Sequence, residues 1–320
     1  MNFNRQALDI DPAQETERIV AALRDHVRKL RRRGVVVGIS GGVDSSVALA
    51  LCVRAFLPQR VIALMLPERD SSADSERLAR QVAGEFEVAP VREDITPVLE
   101  GFGCYRRRDE GIRRVFPEYT KGYLAKIVLP PNLLDDGALN VFSATIVAPD
   151  GEEQSKPLPT DEFLQIVAAS NFKQRTRMSF LYYHAERHHF AVVGTANKDE
   201  HDMGFFVKYG DAGVDINPLA HLYKTQVYQL AGYLGLPREV LARAPTSDTY
   251  SAPCTQEEFF FRLPFATLDL LWYAREHGVS VPLVAAVMEL TETQVRHAFD
   301  DFAHKYAATE YLRRPPQGIP

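Results

Sequence analysis

Cysteine is scarce. The 320-residue chain has three, Cys52, Cys104 and Cys254, far apart, odd in number and without a C-x-x-C pair. This excludes a disulfide framework and a cysteine-paired zinc site, and it fits reduced thiols and a cytoplasmic location. Long apolar runs are missing too. No stretch approaches the roughly 18 residues that a membrane span needs. Met1 to Thr16 is polar, with no apolar h-region, so no signal peptide is expected. Basic charge is not in excess: 37 Lys and Arg stand against 42 Asp and Glu, for a formal net charge of -5. A protein living on nucleic acid would be basic, so no nucleic-acid partner is expected. The runs Arg31-Arg32-Arg33 and Arg106-Arg107-Arg108 read as solvated faces. There is no internal repeat and no low-complexity tract. Neither G-x-x-x-x-G-K-[ST] nor G-x-G-x-x-G occurs at the glycine-rich loop described below.

What remains is an ordinary globular composition, 46% hydrophobic and 25% charged, long enough for a sizeable core. Ile19, Val20, Leu23, Val27 and Leu30 recur at helical spacing and predict a helix over Asp11–Arg33, ended by Gly34. Val35–Ile39 reads as a buried parallel strand. Asp44–Phe56 reads as a helix, Val61–Leu66 as a second buried strand, Ser72–Phe86 as a helix and Glu87–Arg92 as a third strand. Alternating strands and helices predict an α/β fold, a doubly wound parallel sheet with helices on both faces. The pattern breaks over Gly103–Thr160, which reads as an insertion: a strand at Asn140–Val147 and a turn at Pro149–Glu152 suggest a hairpin. Asp161–Arg187 reads as a long helix and Phe190–Val193 as another buried strand. Asn197–Pro218 is dense in Gly, Asp and Lys and reads as a functional loop. Helices follow at Tyr223–Gly235 and Pro237–Ala244. The C-terminal region, about 257–312, reads as helical. Within it, Val281–Lys305 reads as two packing helices rather than a DNA-reading pair. The whole, 1–320, reads as one domain.

Chemistry concentrates at Gly38-Ile39-Ser40-Gly41-Gly42-Val43-Asp44-Ser45-Ser46. A buried strand ends, a glycine pair turns, and a helix begins. Glycines allow backbone N–H groups to curl around an anion. The helix N-terminus adds free donors and positive potential. Ser40, Ser45 and Ser46 offer hydroxyls. The unusual member is Asp44, because a bare carboxylate beside phosphates repels them. A divalent cation reverses that sign, so Asp44 points to Mg²⁺.

The S-G-G-x-D-S loop resembles that of the N-type ATP pyrophosphatases, of adenine nucleotide alpha hydrolase-like fold. Further blocks resemble the ammonia-dependent NAD⁺ synthetase family within that superfamily. They are Asn171 to Met178, Gly194-Thr195 with Glu200, Gly204 to Asp211, Asp215-Ile216-Asn217-Pro218-Leu219, Lys224-Thr225-Gln226-Val227, Leu234-Gly235-Leu236-Pro237 and Pro245-Thr246. The resemblance spans about Gly34 to Thr246, apart from the insertion. It implies ATP-dependent adenylation of the carboxylate of deamido-NAD⁺, followed by amidation with ammonia. By resemblance, Gly38, Ile39, Ser40, Gly41, Gly42, Val43, Asp44 and Ser45 hold the ATP phosphates. Thr195, Lys224 and Thr246 contact ATP, and Asp44 and Glu200 ligate Mg²⁺. Arg175, Lys208 and Asp215 contact the acid substrate. Asp44, Lys208 and Lys224 are the candidate catalytic residues. The family also implies a homodimer. Since the first strand begins at Val35, free ammonia or ammonia from another protein is the expected nitrogen source. Near the C-terminus, Tyr311-Leu312 stands where the family has a His-Lys pair that contacts deamido-NAD⁺. The same chemistry on a different carboxylic acid is the alternative reading; a non-catalytic ATP-binding module is a third.

Overall fold

A computed structural model of the chain describes residues 3–130, 132–134, 141–246 and 249–319. Helix α1 (Pro12–Lys29) begins where Asp11 caps it: the carboxylate accepts the N–H groups of Ala13 and Gln14 at 2.9 and 3.1 Å,. Ile19, Val20, Leu23 and Val27 of the predicted stripe are buried, while Leu30 is exposed. The helix stops sooner than expected. Arg31, at φ 56°, makes the left-handed turn, and Gly34 serves packing instead. A Cβ at Gly34 would lie 2.4 Å from the Arg60 carbonyl oxygen and 2.7 Å from the Phe190 ring.

The central sheet is parallel throughout, in the order β3-β2-β1-β7. Its strands are β1 (Val35–Gly38), β2 (Val61–Met65), β3 (Val91–Arg92) and β7 (Ala191–Val193). Helix α2 (Val43–Phe56) links β1 to β2, and α3 (Ala73–Glu85) links β2 to β3. The third strand is shorter than the predicted Glu87–Arg92, since only Leu64↔Val91 and Met65↔Arg92 pair. Alternate side chains go to opposite faces. Val35, Val37, Ala63, Met65 and Val193 pack with α1 and α2, while Val36, Leu64 and Val192 join the core on the other side. Both faces are covered, so the strands carry no polar alternation.

From β3 the chain passes through α4 (Thr96–Gly101) and α5 (Cys104–Val115). It then forms an antiparallel sheet of β4 (Leu124–Val128), β5 (Ser143–Val147) and β6 (Glu153–Pro157). The predicted hairpin is there: Val147 pairs with Glu153 around Gly151, which sits at φ 92°. The strand expected at Asn140–Val147 covers Ser143–Val147, and Asn140 lies outside the described residues. Helix α5 was not expected. It buries Cys104, Tyr105, Arg108, Gly111 and Ile112, a helical spacing disguised by an arginine and a glycine. Arg108 is therefore no part of a solvated face. It is 2% exposed and ion-paired to Asp70 at 2.5 Å.

The 29-residue α6 (Thr160–His188) returns the chain along the sheet to β7, which pairs with β1 on the side away from β2. The chain thus winds outward from β1 to β3 and then reverses. The loops after β1 and β7 part at this switch point, where open α/β sheets take their ligands. Short helices α7 (Lys198–Met203), α8 (Lys224–Tyr233) and α9 (Arg238–Ala242) follow. The C-terminal region is helical as predicted: a π-turn at Glu257–Phe261, then α10 (Phe265–Glu276), α11 (Val281–Met288), α12 (Glu292–Ala308) and α13 (Glu310–Arg313). They pack around Phe261, Leu268, Trp272 and Phe302. Thr291 and Gln294 form the expected capping box for α12,, and α11 packs on α12. Among the described residues, no helix is long and apolar enough to cross a membrane.

Candidate active site

The loop after β1 is shaped by Gly41. It stands at φ 75°, and a Cβ there would lie 2.7 Å from the Ser75 carbonyl oxygen and 2.8 Å from the Leu78 side chain. Only glycine permits this fold-back onto α3. Ser46 is buried and donates to the Gly42 carbonyl at 2.8 Å, so its proton is held within the helix and is not offered to an anion as the sequence suggested. The Ser45 hydroxyl donates to the same carbonyl at 3.0 Å. Ser40 and Ser45 sit 3.2 Å apart, Oγ to Oγ, and face the crevice.

Two adjoining cavities open at the switch point. One, of about 250 Å³, runs past Gly38, Ile39, Ser40 and Ser45 to Met65, Leu66, Met178, Leu181 and Val214. Its apolar walls suit a flat ring. Gly194 admits one wall, because a Cβ there would lie 2.8 Å from Val214. The other, of about 140 Å³, is polar and lies over the start of α2. It is lined by Ser40, Gly42, Val43, Asp44, Ser45 and Glu200, with Arg243 and Gln256 at its far side. Thr195 and Thr246 line both cavities. The arrangement suits a ring in one cavity joined to an anionic chain in the other.

Charge in the smaller cavity is arranged around Asp44. Lys224, the first residue of α8, is wholly buried, and its ammonium meets Asp44 Oδ2 at 2.5 Å. Burial alone would lower the pKa of Lys224, but the charges of Asp44 and Glu200 raise it, so the lysine stays protonated. Asn197 joins the two carboxylates. Its amide nitrogen donates to Asp44 Oδ1 at 3.1 Å, its side-chain oxygen accepts from the Glu200 N–H at 3.0 Å, and Glu200 Oε2 accepts the Asn197 N–H at 3.1 Å. Gln256 donates to Glu200 Oε1 at 2.9 Å. Burial, and then the negative charge of Asp44, push the Glu200 carboxyl up to about 7. Behind Lys224, two more buried carboxylates fix the helix start. Asp199 accepts the Lys224 N–H at 2.9 Å, and Asp269 accepts the Thr225 N–H at 2.7 Å. Burial raises Asp269 to about 6 and Asp199 well above the usual range, the latter with help from its neighbour's charge.

The residues expected to serve the acid substrate are not gathered in this way. Arg175 Nε donates to the Lys208 carbonyl at 3.3 Å, so these two are neighbours. The Lys208 ammonium, however, donates to the carbonyls of Tyr311 and Arg314 at 2.7 and 3.0 Å. Asp215 anchors the sheet, accepting the Val192 N–H at 2.8 Å and the Tyr182 hydroxyl at 3.1 Å. It lines a separate cavity with Arg18 and His221. The tail that holds Lys208 is itself docked on the C-terminal end of α7. Arg313 donates to the Asp202 carbonyl at 2.9 Å, and Thr309 packs on Gly204, where a Cβ would lie 2.3 Å from it. Phe205 packs among Phe259, Phe260 and Phe261.

This is the architecture of an enzyme that works on an adenine nucleotide. A family model described as NAD synthase matches residues 15–114 and 148–316. The chain is 48% identical over 315 residues to the NH(3)-dependent NAD(+) synthetase of Rhizobium meliloti (strain 1021), covering 98% of this chain and 94% of that protein. It is 48% identical over 310 residues to the protein of that name from Mesorhizobium japonicum, covering 97% of each. The NH3-dependent NAD synthetase from Campylobacter jejuni shares the fold, with a TM-score of 0.63 at 21% identity over 97% of this chain and 100% of that one. The chain belongs to the NAD synthase family.

Proposed function

We infer that this chain is an amide-forming ligase that makes NAD⁺ from deamido-NAD⁺, ATP and ammonia. The observation that carries the reading is the meeting of Asp44 and Glu200 on one small polar cavity beside an apolar one, with the buried Lys224 ion-paired to Asp44. In the first step the nicotinate carboxylate attacks the α-phosphorus, the bond to the bridging oxygen breaks, and pyrophosphate leaves. In the second, ammonia attacks the acyl carbon, AMP departs, and a proton is lost. Both partners in the first step are anions, so the site must offset their repulsion and the charge that builds in the transition state. The free N–H groups at the start of α2 and the Ser40 hydroxyl supply donors. Lys224, protonated and immobile, supplies a fixed positive charge that need not reorganise during reaction.

Mg²⁺ belongs to the same reading. Two carboxylates share the phosphate cavity, and the proton affinity of Glu200 is raised by burial and then by the negative charge of Asp44. Among the described residues no group of three or more His, Cys, Asp or Glu could form a complete cage. Two carboxylates with substrate phosphates and water completing the shell is the usual Mg²⁺ arrangement. Bound to Asp44 and Glu200, the ion would neutralise phosphate charge and help pyrophosphate leave. Gly38, Ile39, Ser40, Gly41, Gly42, Val43, Ser45, Thr195 and Thr246 are assigned to ATP, and Arg175, Lys208 and Asp215 to the acid. We further propose a homodimer, on the family resemblance, and a cytoplasmic location, in keeping with three free, buried cysteines. Residues 1–320 are treated as one domain elaborated at about 103–160.

The purified chain with ATP, Mg²⁺, ammonia and deamido-NAD⁺ should form NAD⁺, AMP and pyrophosphate in equal amounts. No NAD⁺, with turnover of another carboxylate instead, would sink the reading. Light scattering of the same sample tests the dimer.

A further inference from the structure

Outside the reacting centre lies a second buried charge cluster, built on Lys173 of α6. Its side chain is 0% exposed, and its ammonium donates to Glu68 Oε1 at 2.8 Å, Asp70 Oδ2 at 2.9 Å and the Thr249 carbonyl at 2.9 Å. That accounts for all three ammonium protons. The acceptors are themselves tied down. Glu68 Oε2 accepts the Tyr105 hydroxyl at 2.7 Å and the Asp70 N–H at 3.0 Å. Asp70 Oδ2 also accepts from Arg108 at 2.5 Å. Two carboxylates thus face two cations, away from water.

Such a cluster is a costly way to hold a core together. Apolar side chains of the same volume do so at least as well, because desolvating ions offsets their attraction. What the cluster provides is fixed geometry, and its position shows for what. Glu68 and Asp70 lie in the turn between β2 and α3. The flanking residues Leu66, Pro67, Ser71 and Ser72 wall the larger cavity. Thr249 follows shortly after Thr246, which lines both cavities. One ammonium therefore joins two segments of the nucleotide site that share no secondary-structure element. The next turn of α6 adds a second tie, as Arg177 donates to the Leu66 carbonyl at 3.3 Å.

We propose that Lys173 is a positioning residue for ATP: by holding the Glu68–Asp70 turn and the Thr249 backbone to one point, it sets the width of the nucleotide cavity. This rests on the ATP site assigned above, so its test reads ATP binding directly as well as turnover. In Lys173→Met combined with Asp70→Asn, which removes one charge of each sign, Kd for ATP should rise about 10-fold, the scale of a misplaced positioning contact. KM for ammonia should stay within a factor of about two, and kcat should fall less than Kd rises. Tyr105→Phe, which deletes only the hydroxyl that holds Glu68, should raise Kd for ATP about 3-fold with the fold intact. If the double variant does not fold, Tyr105→Phe decides by the same readings. Folded variants with unchanged Kd for ATP, or with equal losses in ATP binding, ammonia KM and kcat, overturn the proposal. A wild-type chain that binds ATP but makes no NAD⁺ would refute the functional reading, while the Kd comparison still decides this one.

Discussion

Lys224 and Lys208 sit in opposite surroundings. Lys224 is fully buried, bonded to Asp44, and its backbone is held by Asp199. Lys208 is partly exposed, and its ammonium rests on two carbonyls of the C-terminal tail. The residues proposed for ATP are held by one another, through the Asn197 bridge, the Gly41 turn and the helix start at Lys224. The residues proposed for the acid are not, since Arg175 and Lys208 are neighbours while Asp215 lies at another cavity. Preorganised charge is what activation of ATP needs.

Substitutions can break or sharpen this contrast. The largest effect is expected for Asp44→Asn, with kcat for pyrophosphate release down about 10²–10³-fold. The amide keeps the side-chain shape, whereas Asp44→Ala would strand the buried Lys224 cation and confound activity with stability. Wild-type activity across a Mg²⁺ titration of Asp44→Asn would remove the metal role. Lys224→Met should cost about 10²-fold in kcat, and pyrophosphate release is the measurement. Lys208→Ala should act on the other side alone, raising KM for deamido-NAD⁺ about 10-fold with KM for ATP unchanged. A parallel rise in KM for ATP would erase the distinction between the two sides.

A pH experiment probes the frame rather than the centre. Burial would raise Asp70, yet Lys173 and Arg108 hold it down to about 2, against 3.8 for a free aspartate. A carboxyl depressed on folding stabilises above the unfolded value, and that stability drains as pH falls through the folded one. Between about pH 4 and 2, the wild-type melting temperature should therefore fall more steeply than that of Asp70→Asn. Parallel curves would mean that Asp70 does not titrate as described. The smallest change is Gly204→Ala, at φ 78° against Thr309. It should destabilise by about 1 kcal/mol or more, seen by thermal melting.

The sheet was legible because β-branched apolar runs, spaced by helical stripes, have few other uses. The loop was legible because glycines and serines after a strand, with an acid at the helix start, combine into one physical demand. Asp44, Glu200 and Lys224 followed from the family blocks. Asn197, Gln256 and Arg243 were missed as site residues, as lone polar residues whose roles arise only from folding. Asn197 reaches Asp44 across 153 residues, and Gln256 reaches Glu200 across 56. No spacing rule carries such distances. The one available signal was Asn197 three residues before Glu200, a capping-box pattern. Arg108 misled for the same reason: three arginines in a row look solvated until Asp70 arrives from 38 residues away.

The docking of Thr309 and Arg313 on the C-terminal end of α7 has a consequence for synthesis. Arg313 and its acceptor His201 are 112 residues apart, so at roughly 5–20 residues per second that helix end waits several seconds for its partner. A nascent chain can assemble the sheet and the nucleotide cavities before that partner leaves the ribosome. We predict that chains stalled short of residue 309 bind ATP but not the acid; acid binding by such a chain would refute this order of maturation.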